Sequence, residues 1–155
     1  MRIERIHDQV RIEASLQLIA HHHIVWQVLT DYESLPSLVP GMRSSRRVSR
    51  PGEPLLPRQT GRSGLRLLEV VLRVIETPRE AIGFSSVAGT FRSKSGEWRI
   101  ESLEAGTMLT YRASIVPGFW VPPLIGPSVI RDEVRTKLAG VAAESGAAPT
   151  APEEA

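Results

Sequence analysis

The chain has 155 residues, of which 41% are hydrophobic and 23% charged, and its formal net charge is +2. This length is typical of one domain with a sizeable core, and the small charge gives no argument for a DNA partner. The sequence contains no cysteine, which excludes disulfides, thiolate metal sites and cysteine nucleophiles. No apolar run approaches the roughly 20 residues of a membrane span, and no signal peptide is recognisable, so we expect a cytoplasmic protein.

The first part of the chain predicts a strand followed by two short helices. Apolar and polar residues alternate in long stretches over residues 3–20, which is typical of a half-buried strand. In "HHHIVWQVLTDY" (21–32) the aliphatic residues change to helical spacing. Residues 31–41 contain two prolines and a glycine, and they predict a second short helix or turn with Leu38 and Val39 pointing inward.

From residue 42 onwards, glycines and prolines at short intervals predict an antiparallel meander. Leu68, Val70 and Leu72 share one face of the strand at residues 67–77. The same alternation means that Arg112 faces outward if Tyr111 faces inward.

Residues 118–146 return to helical spacing and predict an amphipathic C-terminal helix with Ile130 and Val134 on its apolar face. Residues 145–155 have the composition of a disordered tail, which leaves a single domain over residues 1–144. The element order predicts an α+β fold, with a curved antiparallel sheet of about seven strands around the C-terminal helix. Such a sheet leaves an apolar cavity beside the helix, which is a natural ligand site.

Two stretches resemble a known superfamily. "VWQVLTDYESLPSLVPG" is similar to the first helix pair of the START-like (helix-grip, SRPBCC) superfamily. "SGEWRIESLEAGTMLTYRASIVPGFWVP" resembles the late hairpin of its polyketide cyclase/dehydrase family, which also holds coenzyme Q-binding proteins and a ribosome-association toxin. The resemblance covers about residues 8–143. It implies a Bet v 1-like helix-grip fold that binds a lipid, an isoprenoid quinone or a polyketide-like molecule between sheet and helix.

The ligand-binding residues expected from this fold are apolar or aromatic. They come from the 31–41 segment, the strands, the loop "PGFWVPPLIGP" (117–127) and the final helix. They are Leu38, Val39, Leu68, Val70, Leu72, Trp98, Tyr111, Phe119, Trp120, Leu124, Ile125, Ile130 and Val134. The 117–127 loop is suited to gate the cavity or to touch a membrane surface, and closing the end of the barrel against residues 35–40 is an alternative that is compatible with either role.

The sequence assigns no catalytic residue, metal ligand or cofactor. Consecutive helical residues diverge by about 100°, so His21, His22 and His23 cannot chelate one ion together, and a polar strand-to-helix junction explains them. No Gly-x-Ser-x-Gly motif or phosphate loop is present. Tyr111 and Arg112 are the groups most suited to chemistry if either reaches the cavity.

We therefore expect a carrier or chaperone for an apolar small molecule, and not an enzyme. Two alternatives stay open. The first is a polyketide cyclase or dehydratase, which requires at least one buried ionisable group in the cavity. The second is a macromolecular-interaction protein resembling the toxin, which would use the arginines of "RSSRRVSR" (43–50), although the usual explanation of such a segment is a charged edge strand. A homodimer is also compatible with the sequence.

Overall fold

The computed structural model describes residues 1–37, 42–47, 55–63, 66–117, 135 and 137–145. Within these residues, eight strands form one antiparallel sheet in the order β1-β2-β8-β7-β6-β5-β4-β3. The strands are β1 (Arg2–Ile6), β2 (Gln9–Leu18), β3 (Met42–Arg47), β4 (Pro57–Ser63), β5 (Arg66–Thr77), β6 (Ala81–Gly89), β7 (Ser93–Leu103) and β8 (Gly106–Val116). Helix α1 (His22–Thr30) and a 3-10 helix (Tyr32–Ser37) follow β2, and residues 137–144 form helix α2.

This architecture confirms the predicted α+β helix-grip fold, with one difference at the N-terminus. Residues 3–20 were expected to form one strand, but they belong to a hairpin in which Ile6 pairs with Gln9. His7 and Asp8 form the turn, and His7 has a φ of 55°. A two-residue turn leaves the alternation of apolar and polar residues intact, so the pattern does not reveal the break. The sheet consequently has eight strands where about seven were expected.

The hydrophobic core lies on the concave face of the sheet. Every second residue of β2 is buried there, from Val10 to Leu18, while the residues between them are more exposed. Val25 and Leu29 of α1 belong to the same core, and so do three residues of α2. The α2 residues are Leu138, Val141 and Ala142. The sheet thus wraps around both helices with its apolar face inward.

The convex face of the sheet carries ion pairs between neighbouring strands beside exposed aliphatic side chains such as Ile75. Nη2 of Arg112 lies 3.6 Å from Oε1 of Glu13 on β2, and its Nη1 lies 3.8 Å from Oε1 of Glu97 on β7. Exposed pairs of this kind contribute only about 0–1 kcal/mol each. These pairs show that the Arg112 side chain lies on the solvent side of β8.

The predicted tail begins at residue 145, where the structure still describes a packed residue. Ser145 is buried, and its hydroxyl donates a hydrogen bond of 2.8 Å to the Val141 carbonyl. The remainder of the predicted tail, residues 146–155, lies outside the described residues. No described helix is long and apolar enough to cross a membrane.

Gly106 allows the β7–β8 hairpin to close, and its replacement tests this fold. Its φ is 150°, and an added Cβ would overlap the Leu18 carbonyl oxygen on β2. We expect Gly106→Ala to lower the free energy of unfolding by about 1–3 kcal/mol, because both strain and overlap oppose it. Chemical denaturation measures this change.

Gly83→Ala is the matched control for that experiment. The nearest atom to its added Cβ would be the Ile75 carbonyl oxygen at 3.8 Å, an ordinary contact. We expect a change of about 0.5 kcal/mol or less. Equal destabilisation by the two substitutions would contradict the close approach of β8 to β2.

Candidate ligand-binding cavity

A cavity of about 70 Å³ lies between the concave face of the sheet and helices α1 and α2. Six strands, both helices and the 3-10 helix contribute to its wall. The described lining residues are Leu29, Tyr32, Leu35, Met42, Pro57, Gln59, Leu72, Val74, Ile82, Phe84, Lys94, Trp98, Tyr111, Lys137 and Val141. Most of these side chains are apolar or aromatic.

Strand register brings the wall together from distant parts of the sequence. Ile82, Trp98 and Tyr111 lie directly opposite one another on the adjacent strands β6, β7 and β8. Val74 of β5 lies opposite Phe84 of β6. Because side chains alternate between faces along each strand, these pairs form rows across the concave surface.

Tyr111 is the centre of an aromatic cluster in this wall. Its ring centroid lies 4.6 Å from that of Trp98, at an interplanar angle of 52°, and 6.2 Å from that of Phe84. On its other side, Nζ of Lys137 lies 4.8 Å from the Tyr111 ring centroid, which is within cation–π range. The cluster therefore joins three strands of the sheet to α2.

Burial sets the ionisation of the two cavity tyrosines. It raises the pKa of Tyr111, and the nearby positive charge of Lys94 opposes that rise only in part. Burial also raises the pKa of Tyr32, assisted by the negative charge of Glu76 and by the hydrogen bond of 3.2 Å that the Tyr32 hydroxyl donates to Oε2 of Glu76. Both hydroxyls are protonated at neutral pH, and the Tyr32 proton is donated to Glu76.

The structure brings three of the sequence-predicted ligand residues into the wall: Leu72, Trp98 and Tyr111. Leu68 and Val70 lie on the same strand and parity as Leu72 but outside the cavity wall. The other predicted ligand residues lie outside the described residues, as does the 117–127 loop beyond Pro117. They are Leu38, Val39, Phe119, Trp120, Leu124, Ile125, Ile130 and Val134.

Of the two groups suited to chemistry, only Tyr111 reaches the cavity. It is 2% exposed, whereas Arg112 has a half-exposed side chain on the convex face. The two charged residues of the described wall, Lys94 and Lys137, were not singled out from the sequence. The signal that could have identified them is their rarity, since this chain has 17 arginines and only two lysines.

The histidine triplet begins helix α1. His21 is the N-cap, and its Nδ1 accepts a hydrogen bond of 3.2 Å from the backbone N–H of His23. Burial lowers the pKa of His22, with smaller contributions from the charges of His21, Arg79 and His23. No group of three metal-ligating side chains occurs among the described residues.

The arginine-rich segment lies at the edge of the sheet. β3 is the last strand in the order, and Arg43, Arg46 and Arg47 are exposed on it. This placement agrees with a charged edge strand, which resists pairing with other chains. Residues 48–50 of the segment lie outside the described part of the chain.

The chain belongs to the polyketide cyclase / dehydrase and lipid transport family, whose sequence profile matches residues 21–140. No curated protein sequence matches it significantly.

Several solved structures share its fold at low sequence identity. The ZhuI aromatase/cyclase from Streptomyces sp. R1128 is 18% identical, with a TM-score of 0.76 over 89% of this chain and 94% of that one. A START superfamily protein from Mycobacterium smegmatis is 13% identical, with a TM-score of 0.77 over 88% and 97% of the two chains. A fragment of a STAR-related lipid transfer protein from Xanthomonas axonopodis is also 13% identical, with a TM-score of 0.75 over 93% and 91%.

The burial of the tyrosines predicts a distinctive alkaline titration. Tyr32 and Tyr111 are the only tyrosines of the chain. In the folded protein, neither should ionise near pH 10, whereas both should do so in concentrated guanidinium chloride, where the pKa is about 10. Because the folded-state values are raised, the corresponding stability is present below pH 10 and is lost as the pH rises towards the folded pKa.

Ultraviolet absorbance of tyrosinate measures this titration. Tyr32→Phe leaves Tyr111 as the single signal, and Tyr111→Phe leaves Tyr32, while circular dichroism monitors the fold. Ionisation of Tyr111 near pH 10 in a folded Tyr32→Phe protein would contradict its burial.

Proposed function

We propose that this protein binds an apolar or amphipathic small molecule in the cavity, and that it carries or shields that molecule without transforming it. The observation that carries the proposal is the mostly apolar and aromatic wall of the cavity between the sheet and both helices. Lipids, isoprenoid quinones and polyketide-like molecules all have the required chemistry. The family description, which includes lipid transport, supports the same class of ligand.

The size of the cavity limits how such a ligand enters. Its volume of about 70 Å³ is well below the roughly 300–1,000 Å³ of pockets that enclose a drug-sized molecule. A lipid or quinone therefore requires movement of the wall. Trp98 and Lys137 are among the partly buried side chains of the wall, and we expect them to move when a ligand enters. Ligand binding should consequently alter the environment of Trp98.

The first test is native mass spectrometry of the purified protein, together with organic extraction of any molecule it carries. We expect a stoichiometric lipid, quinone or fatty acyl species. In addition, the neutral fluorescent probe N-phenyl-1-naphthylamine should bind saturably, with a fluorescence increase. A protein that is empty after incubation with lipids and quinones, and that does not bind the probe, would contradict the proposal.

Two adjacent residues of β5 provide a matched pair of variants. Val74 lines the cavity, whereas Ile75 is 68% exposed on the convex face. Val74→Phe should fill the cavity and weaken probe binding by about tenfold or more, while Ile75→Phe should leave it within about twofold.

Thermal unfolding checks that the Val74→Phe protein is folded, because overpacking costs about 1–3 kcal/mol. Val141→Phe fills the cavity from α2 and provides an independent variant. Unchanged probe affinity in a folded filling variant would place the binding site elsewhere.

A second candidate function is that of a polyketide cyclase or dehydratase. One observation favours it: the buried Tyr111 hydroxyl lies in a wall that also contains two lysines. A protonated hydroxyl can donate to a substrate carbonyl and stabilise negative charge that develops on its oxygen. The ZhuI structure, titled an aromatase/cyclase, has the same fold.

Turnover of a linear poly-β-ketone thioester tests this candidate. Chromatography with mass spectrometry should detect a cyclised product, and Tyr111→Phe should reduce its formation by about tenfold or more. N-phenyl-1-naphthylamine affinity should stay within about twofold in that variant, because it lacks only the hydroxyl. No product, or equal product from Tyr111→Phe, would exclude a catalytic role for this hydroxyl on that substrate.

A further inference from the structure

Three side chains of the described cavity wall carry an uncharged hydroxyl or amide group: Tyr32, Gln59 and Tyr111. The Tyr32 hydroxyl donates its hydrogen bond to Glu76 within the protein. The other two lie on strands that are not neighbours, because Gln59 belongs to β4 and Tyr111 to β8, with β7, β6 and β5 between them. Uncharged hydrogen-bonding groups therefore reach the cavity from two separate parts of the concave sheet.

The Tyr111 hydroxyl is a buried donor that the described part of the protein does not use. Its side chain is 2% exposed, and its ring packs beside those of Trp98 and Phe84. Its hydroxyl forms no hydrogen bond with any described residue. A buried donor without an acceptor is costly, and a ligand that displaces water from such a group without replacing its hydrogen bond loses affinity. The hydroxyl therefore favours a ligand that brings an acceptor oxygen to it.

Gln59 supplies the complementary group, an acceptor. Its Nε2 donates a hydrogen bond of 3.5 Å to Oγ of Ser45, the buried residue directly opposite it on β3. The side-chain carbonyl of Gln59 has no hydrogen-bond partner among the described residues. Because a carbonyl oxygen only accepts, the ligand group that matches it is a donor such as a hydroxyl.

The wall between these two groups is apolar and aromatic. Leu72 and Val74 of β5, Ile82 and Phe84 of β6, and Trp98 of β7 all line the cavity. These side chains suit the apolar body of a ligand, whereas the hydrogen-bonding groups on β4 and β8 suit its two ends.

We propose that the cavity recognises a neutral molecule with an oxygen group at each end of an apolar body: a carbonyl that accepts from Tyr111 and a hydroxyl that donates to Gln59. This inference rests on the proposed function and adds the chemical class of the ligand. It separates that ligand from a lipid with a single polar head, because such a lipid would leave one of the two protein groups without a partner.

Three competitors for bound N-phenyl-1-naphthylamine test the inference: butylbenzene, butyrophenone and 4′-hydroxybutyrophenone. They share one carbon skeleton, to which the second adds a carbonyl and the third also a hydroxyl at the far end of the ring. Tyr111→Phe should weaken both ketones by about fivefold and leave butylbenzene within about twofold, because only the ketones accept a hydrogen bond. Gln59→Leu should weaken 4′-hydroxybutyrophenone alone, again by about fivefold.

Two matched variants serve as controls. Tyr32→Phe removes the hydroxyl that already donates to Glu76, and it should change the three affinities by a common factor. Gln27→Leu lies on the exposed side of α1, outside the described wall, and should leave all three affinities within about twofold. If Gln59→Leu does not fold, Gln59→Met provides the same comparison.

Thermal unfolding without ligand gives an independent readout. Tyr111→Phe should keep the unfolding midpoint within about 2 °C of the wild-type value, because its hydroxyl bonds to no described group. A loss of about 5 °C or more would show that the hydroxyl has a structural partner, and the inference would be overturned.

The outcomes distinguish this inference from the proposed function. If the wild-type protein does not bind the probe, both are overturned. If the probe binds but Tyr111→Phe affects all three competitors equally, the proposed function stands and the inference is wrong. If a folded Gln59 variant binds 4′-hydroxybutyrophenone as well as the wild type does, the second oxygen is held elsewhere and the inference is again overturned.

Discussion

The register of the β7–β8 ladder determines what the cavity contains. In the observed register, Trp98 lies opposite Tyr111, and both face the concave side, while Glu97 lies opposite Arg112 on the convex side. A shift of the β8 register by one residue would turn Arg112 towards the interior and expose Tyr111. The aromatic cluster, the two ion pairs of Arg112 and the position of the Lys137 ammonium over the Tyr111 ring depend on this pairing. Burial of alternate residues on β8 keeps it in place.

Arginines and lysines occupy different environments in the described part of the chain. Arginines cover the solvent side, where Arg58 and Arg112 form ion pairs with carboxylates on neighbouring strands. Both lysines line the cavity, and Nζ of Lys137 lies 4.8 Å from the ring centroid of the buried Tyr111. The family description covers cyclases, dehydrases and lipid transport. Because one fold serves these different functions, the polar groups of the cavity are the features that distinguish its members. In the described wall of this cavity, the polar side chains are those of Tyr32, Gln59, Lys94, Tyr111 and Lys137.

Much of the fold follows from periodicity, but the cavity depends on tertiary contacts. Alternation along β8 correctly predicts that Tyr111 and Arg112 lie on opposite faces of the sheet, although it does not say which of them faces inward. It misses the β1–β2 hairpin, because a two-residue turn preserves the alternation. Sequence spacing cannot bring Lys137 over the ring of Tyr111, since that contact requires α2 to dock on the sheet. The cavity volume is equally hidden, because it depends on how side chains from six strands and three helical segments fill a shared space.

The central claim is that a small apolar molecule binds between the concave sheet and α2. Methyl NMR during titration with N-phenyl-1-naphthylamine tests it most directly, because the two faces of the sheet serve as mutual controls. The account predicts that the methyl resonances of Leu72, Val74 and Val141, which line the cavity, shift with a common affinity. The exposed methyl groups of Leu67, Ile75 and Val87 should not respond. Shifts confined to the exposed residues, with the cavity methyl groups unchanged, would contradict the account.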